Sequence, residues 1–311
     1  MKRELAQITQ QHHVSTYDQL MRRVFRDPDV QRFMKTNRKQ MSKTDWVRSA
    51  PRLYEYVREK QKSRRADSSS LLPGYLPQLV LNDHSVNITY QPTPQTAEQQ
   101  RRQRIQDRVR SVAMPKDVRH ASLNDFDYQS DNSRGVIFAA ASRFVSQSLN
   151  RPNQYHRGMY IYGRFGVGKT YLLAALANSL AKAGVETTLI YFPMFALEMK
   201  DSIQTDSTSE KLRSIERSPV MMFDDVGTDT MSSWIRDDVF GVILEYRMQN
   251  ELPTFFSSNV SVSNFVRNCL STDKDGSQVP LTAKRIMERI HFLAKEYRMT
   301  GYNRRNPDLN G

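Results

Sequence analysis

The segment Gly163-Arg164-Phe165-Gly166-Val167-Gly168-Lys169-Thr170 constrains this chain more than any other. It matches the pattern G-x-x-x-x-G-K-[ST]. The apolar run MYIY precedes it and the stretch YLLAALANSLAKA follows. That order predicts a buried strand, a tight loop and a helix. Glycines let the backbone wrap closely around phosphate oxygens, while loop N–H groups and the helix N-terminus face the anion. In such a loop the Lys169 ammonium reaches the β- and γ-phosphates of a nucleotide. The Thr170 hydroxyl ligates Mg2+. Every residue from Gly163 to Thr170 is therefore a candidate nucleotide contact.

The surroundings carry the same message. Apolar runs at 159–163, 187–192, 220–223 and 254–258 alternate with helical patterns near 133–149, 169–183, 207–217 and 232–249. This alternation predicts an α/β domain with a parallel sheet flanked by helices, from about residue 121 onward. The run VMMF ends in Asp224 and Asp225. Asp224 is placed to hold Mg2+ through water, and Asp225 to orient or deprotonate an attacking water. A helix N-cap is the competing role for such acids. TFFSS ends at Asn259, which suits a contact to the γ-phosphate and its nucleophilic water, or an Asx-turn. In AKRIMERI, Arg285 and Arg289 are four residues apart and share a helix face. They suit a phosphate sensor, a finger reaching a neighbouring subunit, or ordinary ion pairing with an acid such as Glu288.

The first part of the chain differs. At 311 residues, the length predicts about two domains. Of the formal charge of +13, nearly all lies in residues 1–120, which hold 24 basic and 12 acidic side chains against 22 and 21 beyond. Such a segment attracts nucleic acid or an acidic partner, or is a solvated Arg-rich surface. Residues 17–60 read as helical, from Tyr17 onward. Asp27-Pro28 marks a helix start and Pro51 an interruption. The runs 79–81 and 86–90 around Asn82-Asp83-His84 predict a small hairpin, after a polar loop at 62–74. The chain divides into an N-terminal domain (1–90), a charged, partly helical linker (91–120) and a nucleotide-binding domain (121–311). Cys269 is the only cysteine, which excludes an intramolecular disulfide and a Cys-rich zinc site. No apolar run approaches the ~20 residues of a membrane span. The first residues lack the apolar stretch of a secretory signal. A reducing, cytoplasmic setting fits these features.

The residues GMYIYGRFGVGKTYLLAALAN (158–178), MMFDDVGTDTMSSWIRDDV (221–239), LPTFFSSN (252–259) and AKRIMERI (283–290) together resemble bacterial replicative helicase loaders of the DnaI/DnaC type, which are AAA+ ATPases. DPDVQRFMKTN and LLPGYLPQLVLND (71–83) resemble the N-terminal region of that family. The resemblance implies an AAA+ domain that binds ATP, Mg2+ and single-stranded DNA. It implies an N-terminal domain that binds a hexameric DnaB-type helicase, which is placed on DNA with the help of other replication-initiation proteins. Self-association on the helicase ring is part of that picture. By motif, Asn259 is the first sensor and Arg289 the arginine finger, with Arg285 beside it. Arg298, Arg304 and Arg305 are the candidates for the second sensor.

Two departures stand out. The relatives carry zinc-holding cysteines in the N-terminal region. KSRRADSSS and QPT hold none here, so no structural zinc is expected and His84 reads as a loop residue. Many AAA+ enzymes place Glu where Asp225 stands, and slow, switch-like turnover follows as an expectation. A transposition accessory ATPase of the IstB type shares the same core, and the DnaI-like N-terminal region favours the loader over it. A nucleotide kinase is disfavoured because residues after 280 offer an arginine-bearing helix rather than a lid.

Overall fold

A computed structural model describes residues 19–64, 70–112, 119–204, 207–228, 231–270 and 280–306. Tyr17, part of the loop expected at 62–74 and part of the expected linker lie outside them. The chain forms two compact units, Met1–Arg102 and Gln103–Gly311.

In the first unit, α1 (residues 19–26), α2 (Pro28–Thr36), α3 (Lys43–Arg48) and α4 (Ala50–Arg64) precede a hairpin of β1 (Tyr75–Asn82) and β2 (Ser85–Pro92). Local chemistry sets these boundaries. The Asp27 carboxylate accepts from the N–H groups of Asp29 and Val30 at 2.9 and 3.3 Å, and Pro28 opens α2. Ser42 and Asp45 form a reciprocal capping box on α3. Pro51 sits in the first turn of α4, where its missing N–H is harmless, so it opens a helix. Asp83 and His84 both have positive φ, the backbone that a two-residue hairpin turn requires. His84 Nδ1 lies 2.6 Å from the Gln40 carbonyl, a contact that fastens the turn to the chain before α3. Val24, Val30, Leu53, Tyr56, Leu79 and Val86 form the core of this unit.

The second unit is a six-stranded sheet in the order β3-β5-β6-β7-β4-β8, parallel throughout. Its strands are β3 (Val109–Val112), β4 (Gly158–Tyr162), β5 (Thr187–Tyr191), β6 (Val220–Val226), β7 (Thr254–Ser258) and β8 (Ala294–Arg298). Both faces are covered, so β6 opens on an unbroken apolar run, Val220 to Phe223. Val220 and Met222 join a core with α6 (Asn132–Asn150) and α7 (Lys169–Lys182). Met221 and Phe223 join another with α8 (Phe192–Gln204), α9 (Thr208–Glu216), α10 (Val242–Gln249) and α12 (Pro280–Leu293). A short α11 (Val262–Phe265) lies between β7 and α12. Among the described residues no helix is long and apolar enough to cross a membrane.

Some expectations are corrected here. The expected linker 91–120 contains α5 (Pro94–Asp107) and then β3, whose register against β5 runs from Val109↔Thr187 to Val112↔Ile190. The sheet therefore begins at Val109, before the expected boundary at 121. The helical pattern at 232–249 is wound as a π-helix over Ile235–Gly241 before α10. Helix α8 follows β5 without a loop, so Phe192, assigned by pattern to a strand, starts a helix.

Candidate active site

The loop between β4 and α7 lies at the carboxyl ends of the parallel strands, where open α/β sheets bind their ligands. Gly166 (φ 77°) and Gly168 (φ 101°) take left-handed backbone there. Gly168 is the N-cap of α7 and supplies no side-chain cap, which leaves the first N–H groups of that helix available to an anion.

A polar network joins the loop to β6 and β7. Lys169 Nζ donates to the carbonyls of Gly163 (2.8 Å) and Arg164 (2.9 Å) and to Asn259 Oδ1 (2.9 Å). Asn259 Nδ2 in turn donates to Asp225 Oδ1 at 3.0 Å. Thr170 Oγ1 lies 3.0 Å from both oxygens of Asp224. Burial pulls the Lys169 ammonium down to about 8, although the charges of Asp225 and Asp224 oppose this. Burial likewise pushes the Asp224 carboxyl up, against hydrogen bonds from Ser257 and Thr170. A buried carboxylate beside a hydroxyl is a hard, oxygen-only donor set. It suits Mg2+, which is bound by one or two carboxylates together with phosphate oxygens. Among the described residues, no group of three or more His, Cys, Asp and Glu is placed to hold a metal ion.

These side chains line a cleft of about 570 Å³. Its lining also includes Phe126, Asp127, Arg134, Tyr171, Arg304 and Arg305, none of which except the two C-terminal arginines was expected from the sequence. Arg134, on α6, is buried and donates to the carbonyls of Asp127 and Val167, tying the wall of the cleft to the phosphate loop. The chain after β8 crosses the same loop. Arg304 N donates to Gly166 O at 3.0 Å, and its guanidinium pairs with Asp127 at 2.6 Å and covers the Tyr302 ring. That pair holds the Asp127 carboxyl at about 2.

Of the expected site residues, the structure brings together Lys169, Thr170, Asp224, Asp225 and Asn259. Phe165, Gly166 and Gly168 line the cleft with them. Arg164 contributes its carbonyl, and its side chain is exposed. Arg285 is exposed on α12, and Arg289 pairs with Glu245 of α10 at 2.6 Å and donates to the Gly241 carbonyl. Neither arginine lines this cleft. Of the second-sensor candidates, Arg304 and Arg305 line it and Arg298 does not. Ser257 also lines the cleft, and in the sequence only its spacing from Asn259 marks it. It lies two residues before Asn259, which follows the end of β7.

Sheet order, phosphate loop and paired acids define a nucleotide-binding ATPase of the AAA+ class. Comparison with known proteins narrows this. Residues 1–90 match the family model of the primosomal protein DnaI N-terminus, and residues 126–292 that of the bacterial DnaA ATPase domain. The chain is 36% identical over 294 residues to the replicative helicase loader DnaI of Bacillus subtilis (strain 168), covering 93% of each. A crystal structure of DnaI superposes with a TM-score of 0.57 at 41% identity, over 65% of this chain and 99% of that one. The DnaC helicase loader shares the fold, with a TM-score of 0.51 at 19% identity over 60% of this chain and 100% of that one. The chain belongs to the DnaI family of replicative helicase loaders. The match over 1–90 falls on the region that separates a loader from an IstB-type ATPase, and it sets the second reading aside.

Proposed function

We propose that this protein uses ATP and Mg2+ as a switch while it places a hexameric DnaB-type helicase on single-stranded DNA. The observation that carries the ATP part is the network joining Lys169, Asn259 and Asp225, with Thr170 and Asp224 beside it. The direct acceptors of Lys169 are neutral oxygens, so an arriving phosphate offers its charge a direct anionic contact that Asp224 and Asp225 do not make. Thr170 and Asp224 are the residues to hold Mg2+, which when bound neutralises phosphate charge. Asn259 and Asp225 are hydrogen-bonded to each other in the lining of the cleft, an arrangement that can orient an attacking water. Asp225 is a short acid in that position, which supports slow turnover.

Residues 1–90, which match the DnaI N-terminal family, are the helicase-binding part in this reading. Single-stranded DNA, other initiation proteins, self-association on the helicase ring, a zinc-free N-terminal region and a cytoplasmic location complete it. Arg289 is the arginine given in trans. Its partners Glu245 and Gly241 hold it at the α10–α12 contact, from which it must be released to meet a neighbour's phosphate. A finger of this kind is worth ~10³–10⁵ in rate.

The test combines loading with complementation. Lys169→Ala is expected to keep helicase binding and lose ATP-dependent loading onto circular single-stranded DNA. Arg289→Ala is expected to bind ATP alone yet lose assembly-dependent hydrolysis, and mixing the two variants restores part of it. Loading by Lys169→Ala at the parent rate sinks the switch. Co-assembly without recovered hydrolysis confines Arg289 to its ion pair with Glu245.

A further inference from the structure

We propose that Ser257 is the positioning residue for both acids of β6, aiming Asp224 at a divalent cation and Asp225 into the cleft. The reason begins in the sheet. β6 and β7 pair as Phe223↔Phe256 and then as Val226↔Ser258, so β6 carries one residue too many between these points. That irregularity falls on Asp224 and Asp225, and Asp225 takes a left-handed φ of 63°. A bulge leaves a backbone N–H outside the ladder. The side chain of Ser257 receives it, since Asp225 N donates to Ser257 Oγ at 2.9 Å. The same hydroxyl donates its own proton to Asp224 Oδ1 at 2.5 Å.

One buried oxygen therefore stitches the bulge and fixes the first acid. With Thr170 also on Asp224, the carboxylate is held from two elements, and its rotation is constrained before any cation arrives. Ser257 is itself almost wholly buried, so both of its hydrogen bonds are shielded from solvent. The adjacent serine supplies a natural control. Ser258 Oγ donates to the Val226 carbonyl at 2.7 Å and accepts from Val260 N. It makes the same kind of stitch on the same strand without touching either acid.

This inference rests on the reading of the cleft as a Mg2+–ATP site. The experiment measures the affinity of the full chain for a fluorescent ATP analogue, without metal and across a Mg2+ titration. Ser257→Ala is expected to raise the half-saturating Mg2+ concentration about 10-fold, a larger change than any in metal-free binding, as loss of an outer partner of a metal ligand does. Ser257→Cys keeps a donor at the position, bulkier and weaker than the hydroxyl, and is expected to fall between. Ser258→Ala is expected to lower the thermal midpoint and leave the Mg2+ response alone. A folded Ser257→Ala protein with the parent Mg2+ response overturns the proposal. So does an equal shift in Ser258→Ala, which makes the effect one of sheet stability. Should Ser257→Ala not fold, a parent-like response in Ser257→Cys overturns it equally. Failure of the nucleotide reading looks different: the parent chain itself then binds no analogue with or without Mg2+.

Discussion

Lys60 in the first unit and Lys169 in the second are each 8% exposed, yet they are held in opposite ways. Lys60 Nζ meets Asp27 at 2.8 Å and Asp29 at 2.5 Å, and Tyr56 OH also reaches Asp29. The hydrogen bond from Lys60 is the main cause that holds the Asp29 carboxyl below its ordinary value. Lys169 meets two carbonyls and a side-chain amide oxygen. The first lysine has its countercharges at home and holds α2 to α4. The second lacks a direct carboxylate contact and is left to take its countercharge from a ligand. Burial alone therefore does not tell the two lysines apart; the chemistry of their acceptors does.

The comparison can be broken by exchanging what each lysine does. The largest effect is expected from Lys169→Ala, which should weaken ATP binding by about 3 kcal/mol, or roughly 100-fold. Its thermal midpoint should not fall, because no carboxylate loses a direct partner. Isothermal titration and thermal melts read both outcomes, and a melt that collapses with intact binding reverses the two roles. Lys60→Ala is expected to do the opposite. It strands Asp27 and Asp29 in a half-buried site, at a cost of about 3 kcal/mol to the first unit, with nucleotide affinity unchanged. Denaturant melts followed at Trp46 report that unit. An unaltered melt makes the Lys60 cluster a surface ornament.

The smallest effect concerns a third pair, Asp127 with Arg304. Its folded pKa of about 2 lies below the ordinary 3.8. The contact's contribution is therefore complete above the ordinary value and is lost as pH falls through about 2. An NMR titration of the Asp127 carboxyl should show this depression, and Arg304→Ala should return it toward the ordinary value. A titration near 3.8 in the parent chain removes the strap contact after β8.

The catalytic half of the molecule was legible because its chemistry is local in sequence. A phosphate loop needs glycines at fixed spacing, and buried parallel strands are built around short apolar runs, so β4, β5, β6 and β7 appear in the residue pattern. The edges of the sheet were not legible. β3 is only VRSV, and β8 is AKEYR, with Lys295, Glu296 and Arg298 exposed at the edge of the sheet. Neither has the periodicity that marks a strand. The bulge at Asp224 and Asp225 was hidden for another reason. It is a mismatch between two strands about thirty residues apart, and no property of VMMFDD alone contains it. Arg289 was visible as a helix-face arginine, whereas its pairing with Glu245 depends on how α10 and α12 pack.

The short strand β3 bears on where the chain can be cut. Beyond it in the sheet lies β5, Thr187–Tyr191, almost wholly buried and without charge. A fragment that begins at residue 121 exposes the hydrogen-bonding side of β5 that Val109–Val112 otherwise occupies. An uncovered, apolar strand of this kind recruits other chains edge to edge. A fragment that begins at Gln103 retains its own cover. The choice between these two starting points is then a choice between a soluble ATPase domain and one that sticks to itself, and four residues with no catalytic part to play make the difference.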